Sequence, residues 1–165
     1  MDIKFELIIG AKLFLALVLG GIVGYEREQH NKFAGVRTFG AIAVASCIFV
    51  AIAEHLTDDT SAIARILAAI ATGIGFIGAG LIFKDGNQTH GLTTSAALWA
   101  TAGIGSAVAL NFFIIGGIGT GIVYFLLRMN KFGWYKRMIE DGGEENDENE
   151  PNRVNDKDEK EKKEH

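Results

Sequence analysis

From Gly86 to Leu127 the chain runs 42 residues without an Asp, Glu, Lys or Arg. As one helix rising ~1.5 Å per residue this stretch would reach ~63 Å, about twice the ~30 Å hydrocarbon layer of a bilayer. It therefore folds back once, and the polar interruption at Leu110 and Asn111 is the place for the reversal. Three further apolar runs, Leu7 to Tyr25, Arg37 to Ala53 and Ala64 to Phe83, complete the count. The reading is an all-α polytopic membrane bundle of five transmembrane helices.

Within the third run, Gly73 to Gly80 reads GIGFIGAG, in a stretch from Ile66 to Phe83 that carries no charge. So many glycines weaken a helix in water, whereas in lipid the backbone must bond to itself and glycines let a neighbouring backbone come close. Gly73, Gly75, Gly78 and Gly80 are accordingly expected to serve helix packing. Gly73, Gly75 and Gly78 also match a dinucleotide-binding GxGxxG, but that turn needs a strand before it and a helix opening at it, and apolar helix runs on both sides here. Small residues recur at helical spacing along Arg65, Ala68, Thr72, Gly75 and Ala79, again along Thr94, Ala97, Thr101, Gly105 and Val108, and as Gly117 with Gly121. Arg65 is expected near the outer end of its helix, neutralised by Glu54, Asp58 or Asp59. Gly20 with Gly24 adds a fourth smooth face, left over for a second subunit, and a homodimer is expected on that surplus.

Mean hydropathy is +0.21, but the charge is divided: residues 1–139 are net +3 and residues 140–165 net −7. The first segment is the membrane domain. The second, with one Pro and no large apolar residue except Val154 from Gly142 onward, cannot offset its chain entropy and is expected to be a disordered acidic cytoplasmic tail. Short-loop Lys and Arg set orientation. Arg27, Lys32 and Arg37 follow the first span, Arg128, Lys131, Lys136 and Arg137 follow the last, and the loop from Glu54 to Ile63 has three acids and no Lys or Arg. Five crossings with an external N-terminus and a cytoplasmic C-terminus satisfy all of these loops. Asp2 and Glu6, with no A-x-A site after the apolar run, argue against a cleaved signal. Lys12 is expected to snorkel to the outer headgroups, and Cys47, the single cysteine, to pack as a small apolar residue.

Odd parity gathers Glu26, Arg27, Glu28, Arg37, Thr38, Lys84, Asp85, His90, Thr93 and Thr94 on one face. From these, Glu26, Arg27, Arg37, Thr38, Thr93 and Thr94 form a candidate ligand-binding cluster, with Glu26 and Asp85 as candidate metal ligands. A fourth helix starting near Thr93 would present unpaired N–H groups that a Thr hydroxyl, Glu26 or a phosphate could meet. Ordinary capping and positive-inside arginines explain the same residues without a ligand.

Three blocks, GYEREQHNKFAGVRT from Gly24 to Thr38, GIGFIGAG from Gly73 to Gly80 and GLTTSAALW from Gly91 to Trp99, together resemble the membrane domain of the MgtC/SapB family over roughly Leu7 to Leu127. The resemblance implies a bacterial or archaeal cytoplasmic-membrane protein linked to magnesium homeostasis, in a family some of whose members matter for survival in low magnesium or inside host cells. It implies a regulator acting on the membrane part of the F-type ATP synthase rather than a proven carrier. Glu26, Arg27 and Glu28 match its charged block, Ala34, Gly35, Arg37 and Thr38 its AGxRT block, Gly91, Leu92, Thr93 and Thr94 its GLTT block, and Arg65 the Arg before the glycines. Ser95 stands where Ala is usual, and the polar sequence after the last span is not expected to form the folded cytoplasmic domain that many relatives carry there.

Three classes follow. A non-enzymatic regulator that binds membrane proteins is favoured by the small-residue faces. A channel or carrier for Mg²⁺ or another small solute is the alternative, but the oxygens placed firmly in mid-membrane are Thr72, Thr101, Ser106, Thr120 and backbone carbonyls, with no acid among them. HExxH, GxSxG and GxxxxGK[ST] are all missing, so an enzyme is not expected. Nor is a cofactor or a nucleic-acid partner; the expected surroundings are membrane lipid and other membrane proteins.

Overall fold

The computed structural model describes residues 3–86 and 88–129. Five helices run in order: α1 Ile3–Gln29, α2 Val36–Leu56, α3 Thr60–Leu81, α4 Leu92–Ala109 and α5 Phe113–Arg128. Four of them are long and apolar enough to cross a bilayer, and α5, apolar and 16 residues long, is the shorter fifth. The reversal falls at Leu110 and Asn111, where Asn111 adopts φ +65°, a conformation that Asn tolerates better than other side chains. The chain is thus a multi-pass membrane protein of the all-α class. Residues 140–165, read as a disordered tail, lie outside the described residues.

One element was not anticipated. Between α3 and α4 the chain forms an antiparallel hairpin, β1 Phe83–Asp85 with β2 Gln88–His90, pairing Phe83 with His90 and Lys84 with Thr89. The third span therefore stops at Leu81 rather than Phe83, and Lys84, Asp85 and His90 sit on strands, not helix ends. Asp85 pairs with Gln88 and the turn opens at Gly86 with φ +58°, the positive φ that a tight hairpin needs at its first central residue. The helix cannot run straight on because Gly91, at φ +85°, lies so close to the Leu81 carbonyl that any Cβ there would overlap it.

Helices α1, α2 and α4 form the centre. α4 touches each of the other four helices and buries 11 of its 18 residues. Close approach is obtained by leaving out side chains. A Cβ on Gly20 would stand 2.7 Å from Ala43 Cβ, one on Gly24 2.7 Å from Val36 Cα, and one on Gly105 would run into the Ala43 carbonyl. The Gly20 and Gly24 face is thus occupied by α2 of the same chain, which corrects its reading as a spare surface. Dispersion between backbones brought so near is the main attraction available between helices in lipid. Phe39, Leu98, Val23 and Ala97 fill one part of the core, while Ala16, Ala43, Cys47 and Val108 fill the other. Cys47 is fully buried, as its small apolar character predicts.

The remaining helices lean on this centre. α3 packs on α4 and α2, α5 on α4 and α1. α3 buries only Gly78, whose Cα faces Ser95: a Cβ would be 3.3 Å from Ser95 Cβ, and Ser95 Oγ donates to Gly78 O at 2.7 Å. Large outward side chains such as Phe76 and Ile114 remain exposed, the surface that a bilayer would cover.

Lys12 does not snorkel. It is buried, its Nζ donates to Ala109 O at 2.6 Å and lies 3.7 Å from Glu54. It therefore caps the last carbonyls of α4 with a charge that Glu54 balances, and the favourable dipole end outweighs the reach to the headgroups.

Gly91→Ala is expected to lower unfolding stability in detergent by about 1–3 kcal/mol or more from its left-handed backbone alone. Gly73→Ala, with nothing within 4 Å of the added methyl, should stay within about 0.5 kcal/mol of the parent. Chemical unfolding followed by helical signal measures both.

Candidate functional site

The last two turns of α1 turn Val23, Glu26 and Arg27 inward, three positions that share one face at helical spacing. Arg27 folds back on its sequence neighbour: Nε donates to Glu26 Oε2 at 2.7 Å and Nη2 stands 2.6 Å from the same oxygen. Nη2 also donates to Leu127 O at 3.3 Å, in the last turn of α5. One guanidinium thus closes two gaps, balancing a carboxylate that is only 2% exposed and satisfying a carbonyl at a helix end.

The other carboxylate oxygen is treated differently. Glu26 Oε1 is buried and has no hydrogen-bond donor among the described residues. His30 Nδ1 comes within 3.2 Å of it, but its hydrogen bond runs to the Glu26 backbone carbonyl at 2.7 Å. A carbonyl can only accept, so Nδ1 carries the proton. The arrangement holds a charge-compensated carboxylate with one open lone-pair direction.

Glu28 explains the second block. Its Oε2 accepts from Val36 N at 3.0 Å, capping α2 in place of Gly35, which stands at the N-cap and has no side chain to do so. A Cβ on Gly35 would lie 2.7 Å from that same oxygen. Glycine there leaves room for the distant cap. At α4 the N-cap is likewise a glycine, Gly91, with no side-chain cap bond, rather than a threonine as the sequence reading had it.

Of the predicted cluster, Glu26 and Arg27 are in contact. Glu26, Arg27 and Thr94 are buried, while Arg37, Thr38 and Thr93 are exposed. Asp85 is exposed on β1, and nowhere among the described residues do three or more His, Cys, Asp or Glu side chains gather around a metal-sized space. His90 stacks on Phe83 at 5.3 Å, and Phe83 meets Phe33 edge-on at 5.5 Å, so the hairpin rests on the connection between α1 and α2. Arg65 is exposed and pairs with Asp59 at 3.8 Å. Of the four glycines read as packing residues only Gly78 meets a neighbour; Gly73, Gly75 and Gly80 face open space.

Sequence reasoning missed the partner carbonyls of Lys12 and Arg27, which no side-chain pattern encodes, and the Phe33–Phe83 contact. The signal for the first was present: a cation inside an apolar run must find a partner in the protein.

Arg27→Gln should destabilise the protein by about 3–5 kcal/mol, because Glu26 is left buried without its counter-charge. The pair Glu26→Gln with Arg27→Gln should cost less than Arg27→Gln alone. Unfolding midpoints of the three variants in one detergent decide it.

Residues 13–132 match the model of the MgtC family. Among individual proteins, the chain is 39% identical over 134 residues to an uncharacterized protein of Haemophilus influenzae, covering 76% of this chain and 56% of that one. It is 43% identical over 90 residues to Protein MgtC of Brucella abortus, covering 54% and 37%, and 32% identical over 146 residues to Protein SrpB of Synechococcus elongatus, covering 78% and 80%. The chain spans about half or less of the length of the first two relatives. No solved structure matches. With the family model matching residues 13–132, from within α1 past the end of α5 and with the EREQ and AGVRT blocks that build the Glu26 site included, the chain belongs to the MgtC family.

Proposed function

We propose that the protein is a non-enzymatic regulator of the cytoplasmic membrane, tied to magnesium homeostasis and membrane energetics, that acts by packing against another membrane protein. The observation that carries this reading is where four hydroxyls within the spans point. Thr101 Oγ1 donates to Ala97 O at 2.8 Å, Ser106 Oγ to Ala102 O at 2.9 Å, Thr120 Oγ1 to Gly116 O at 2.8 Å and Thr72 Oγ1 to Ala68 O at 2.9 Å. Each closes on its own helix. Mg²⁺ takes near-octahedral oxygen ligands and loses water reluctantly, and a row of inward-bonded hydroxyls without an acid supplies a poor path for it.

The outward faces favour a partner. Arg65, Ala68, Thr72, Gly75 and Ala79 of α3 are all exposed, and Gly117 and Gly121 of α5 have nothing within 4 Å. Close helix association in lipid uses such small-residue surfaces. The family resemblance brings the membrane sector of the F-type ATP synthase as a candidate partner, and a second copy of the chain is another. Orientation follows the basic loops: Arg27, Lys32, Arg37, Lys84 and Arg128 toward the cytoplasm, Glu54, Asp58 and Asp59 outside, so that the N-terminus is external and the C-terminus cytoplasmic.

A carrier for Mg²⁺ or another small solute is the second reading, favoured by one observation, the donor-free Oε1 of Glu26. Liposomes holding a magnesium-sensitive dye separate the two. The regulator reading predicts no flux above protein-free vesicles, together with co-purification of ATP synthase subunits from native membranes. Flux that disappears in a folded Glu26→Gln variant would overturn it in favour of the carrier.

A further inference from the structure

Three of the described cations have no partner among the described residues, and all three lie in or next to the α1–α2 connection and the hairpin. Lys12 is held by Glu54, Arg27 by Glu26, Arg65 by Asp59, and Arg128 donates to the Tyr124 hydroxyl at 2.7 Å; Lys4 is engaged as well. Lys32, Arg37 and Lys84 are exposed and make no ion pair or side-chain hydrogen bond among the described residues. They belong to the two connections that the Phe33–Phe83 contact joins: Lys32 precedes one ring, Lys84 follows the other, and Arg37 stands in the first turn of α2.

The acids nearby do not cancel them. Glu26 is paired with Arg27, Glu28 caps α2, and Asp85 is the one acid within the two connections. The same surface exposes apolar bulk. Phe33 is 68% exposed, Phe83 45% and Leu92 62%, at the ends of helices that run through lipid. A soluble anion would meet the cations and leave these side chains in water. A headgroup layer meets both, since rings settle at the membrane boundary while Lys and Arg reach phosphates there.

We propose that the α1–α2 connection and the β1–β2 hairpin form a binding platform for anionic phospholipid headgroups, with Phe33 and Phe83 seated in the interface and Lys32, Arg37 and Lys84 on the phosphates. The platform stands apart from the regulator reading and holds whether or not that reading does. It also gives the hairpin a role, because pairing Phe83 with His90 fixes where Lys84 is carried.

The full chain, purified in mixed micelles of phosphatidylglycerol and phosphatidylcholine, is analysed for retained lipid. The parent should be enriched in phosphatidylglycerol. A cation near an anionic surface is worth about fivefold in preference, so each single substitution among Lys32→Gln, Arg37→Gln and Lys84→Gln should lower the enrichment by about that factor and the triple variant by more than about tenfold. Arg65→Gln, an exposed cation at the opposite end of the bundle, should leave it unchanged. Equal enrichment in parent and single variants overturns the proposal. So does enrichment that inorganic phosphate abolishes when chloride of the same ionic strength does not, because that places a soluble anion on the cations.

Discussion

A charge buried among lipid-spanning helices has only the protein to answer it, and α1 carries two such cations, Lys12 and Arg27. Fifteen residues of helix separate them by about 22 Å, close to the thickness that the bundle must cross. Each donates to a carbonyl at the C-terminal end of another helix, Lys12 to Ala109 of α4 and Arg27 to Leu127 of α5. Each also has a carboxylate at hand, Glu54 and Glu26. The negative ends of two helix dipoles are thus fastened to opposite ends of α1. With α4 ending beside Lys12 and α5 ending beside Arg27, α5 runs parallel to α1 and α4 runs antiparallel to both.

Between these fastenings the centre is closed by the absence of side chains. Gly20, Gly24 and Gly105 bring α1, α2 and α4 into contact that one methyl group would prevent. Gly73, Gly75 and Gly80 of α3 and Gly117 and Gly121 of α5 obey a different logic. Unlike Gly78, which meets Ser95 of α4, they have nothing within 4 Å of an added Cβ. Glycine in lipid therefore has two uses in this molecule: drawing its own helices together, and leaving outer faces smooth enough for another protein's helix.

Much of this was legible in the residues. Uncharged length gave the helix count, and Asn111 marked the fold-back because a polar residue in the middle of a double-length apolar run has to reach a surface. Arg65 found Asp59, one of the three acids expected to neutralise it. The hairpin was hidden because two three-residue strands are too short to show alternation, although Asp85–Gly86 is a turn signal in its own right. Lys12 was misjudged because snorkelling and capping begin from the same side chain, and only the position of Ala109, 97 residues away, separates them. The Glu26 site was half legible: the acid and the arginine are buried together and Thr94 is buried, whereas Arg37, Thr38 and Thr93 are exposed. Periodicity places residues on a helix face; it does not say which face a neighbour will cover.

The arrangement of α5 along α1 is the claim on which the site and the orientation rest. Single cysteines placed at Asn31, Gln88, Arg128, Asp58 and Asn111 in a Cys47→Ala background, probed in intact cells with a membrane-impermeant thiol reagent, test it most directly. The account predicts two sets, Asn31, Gln88 and Arg128 protected together while Asp58 and Asn111 react. Labelling that put Asn31 and Arg128 on opposite sides of the membrane would contradict it.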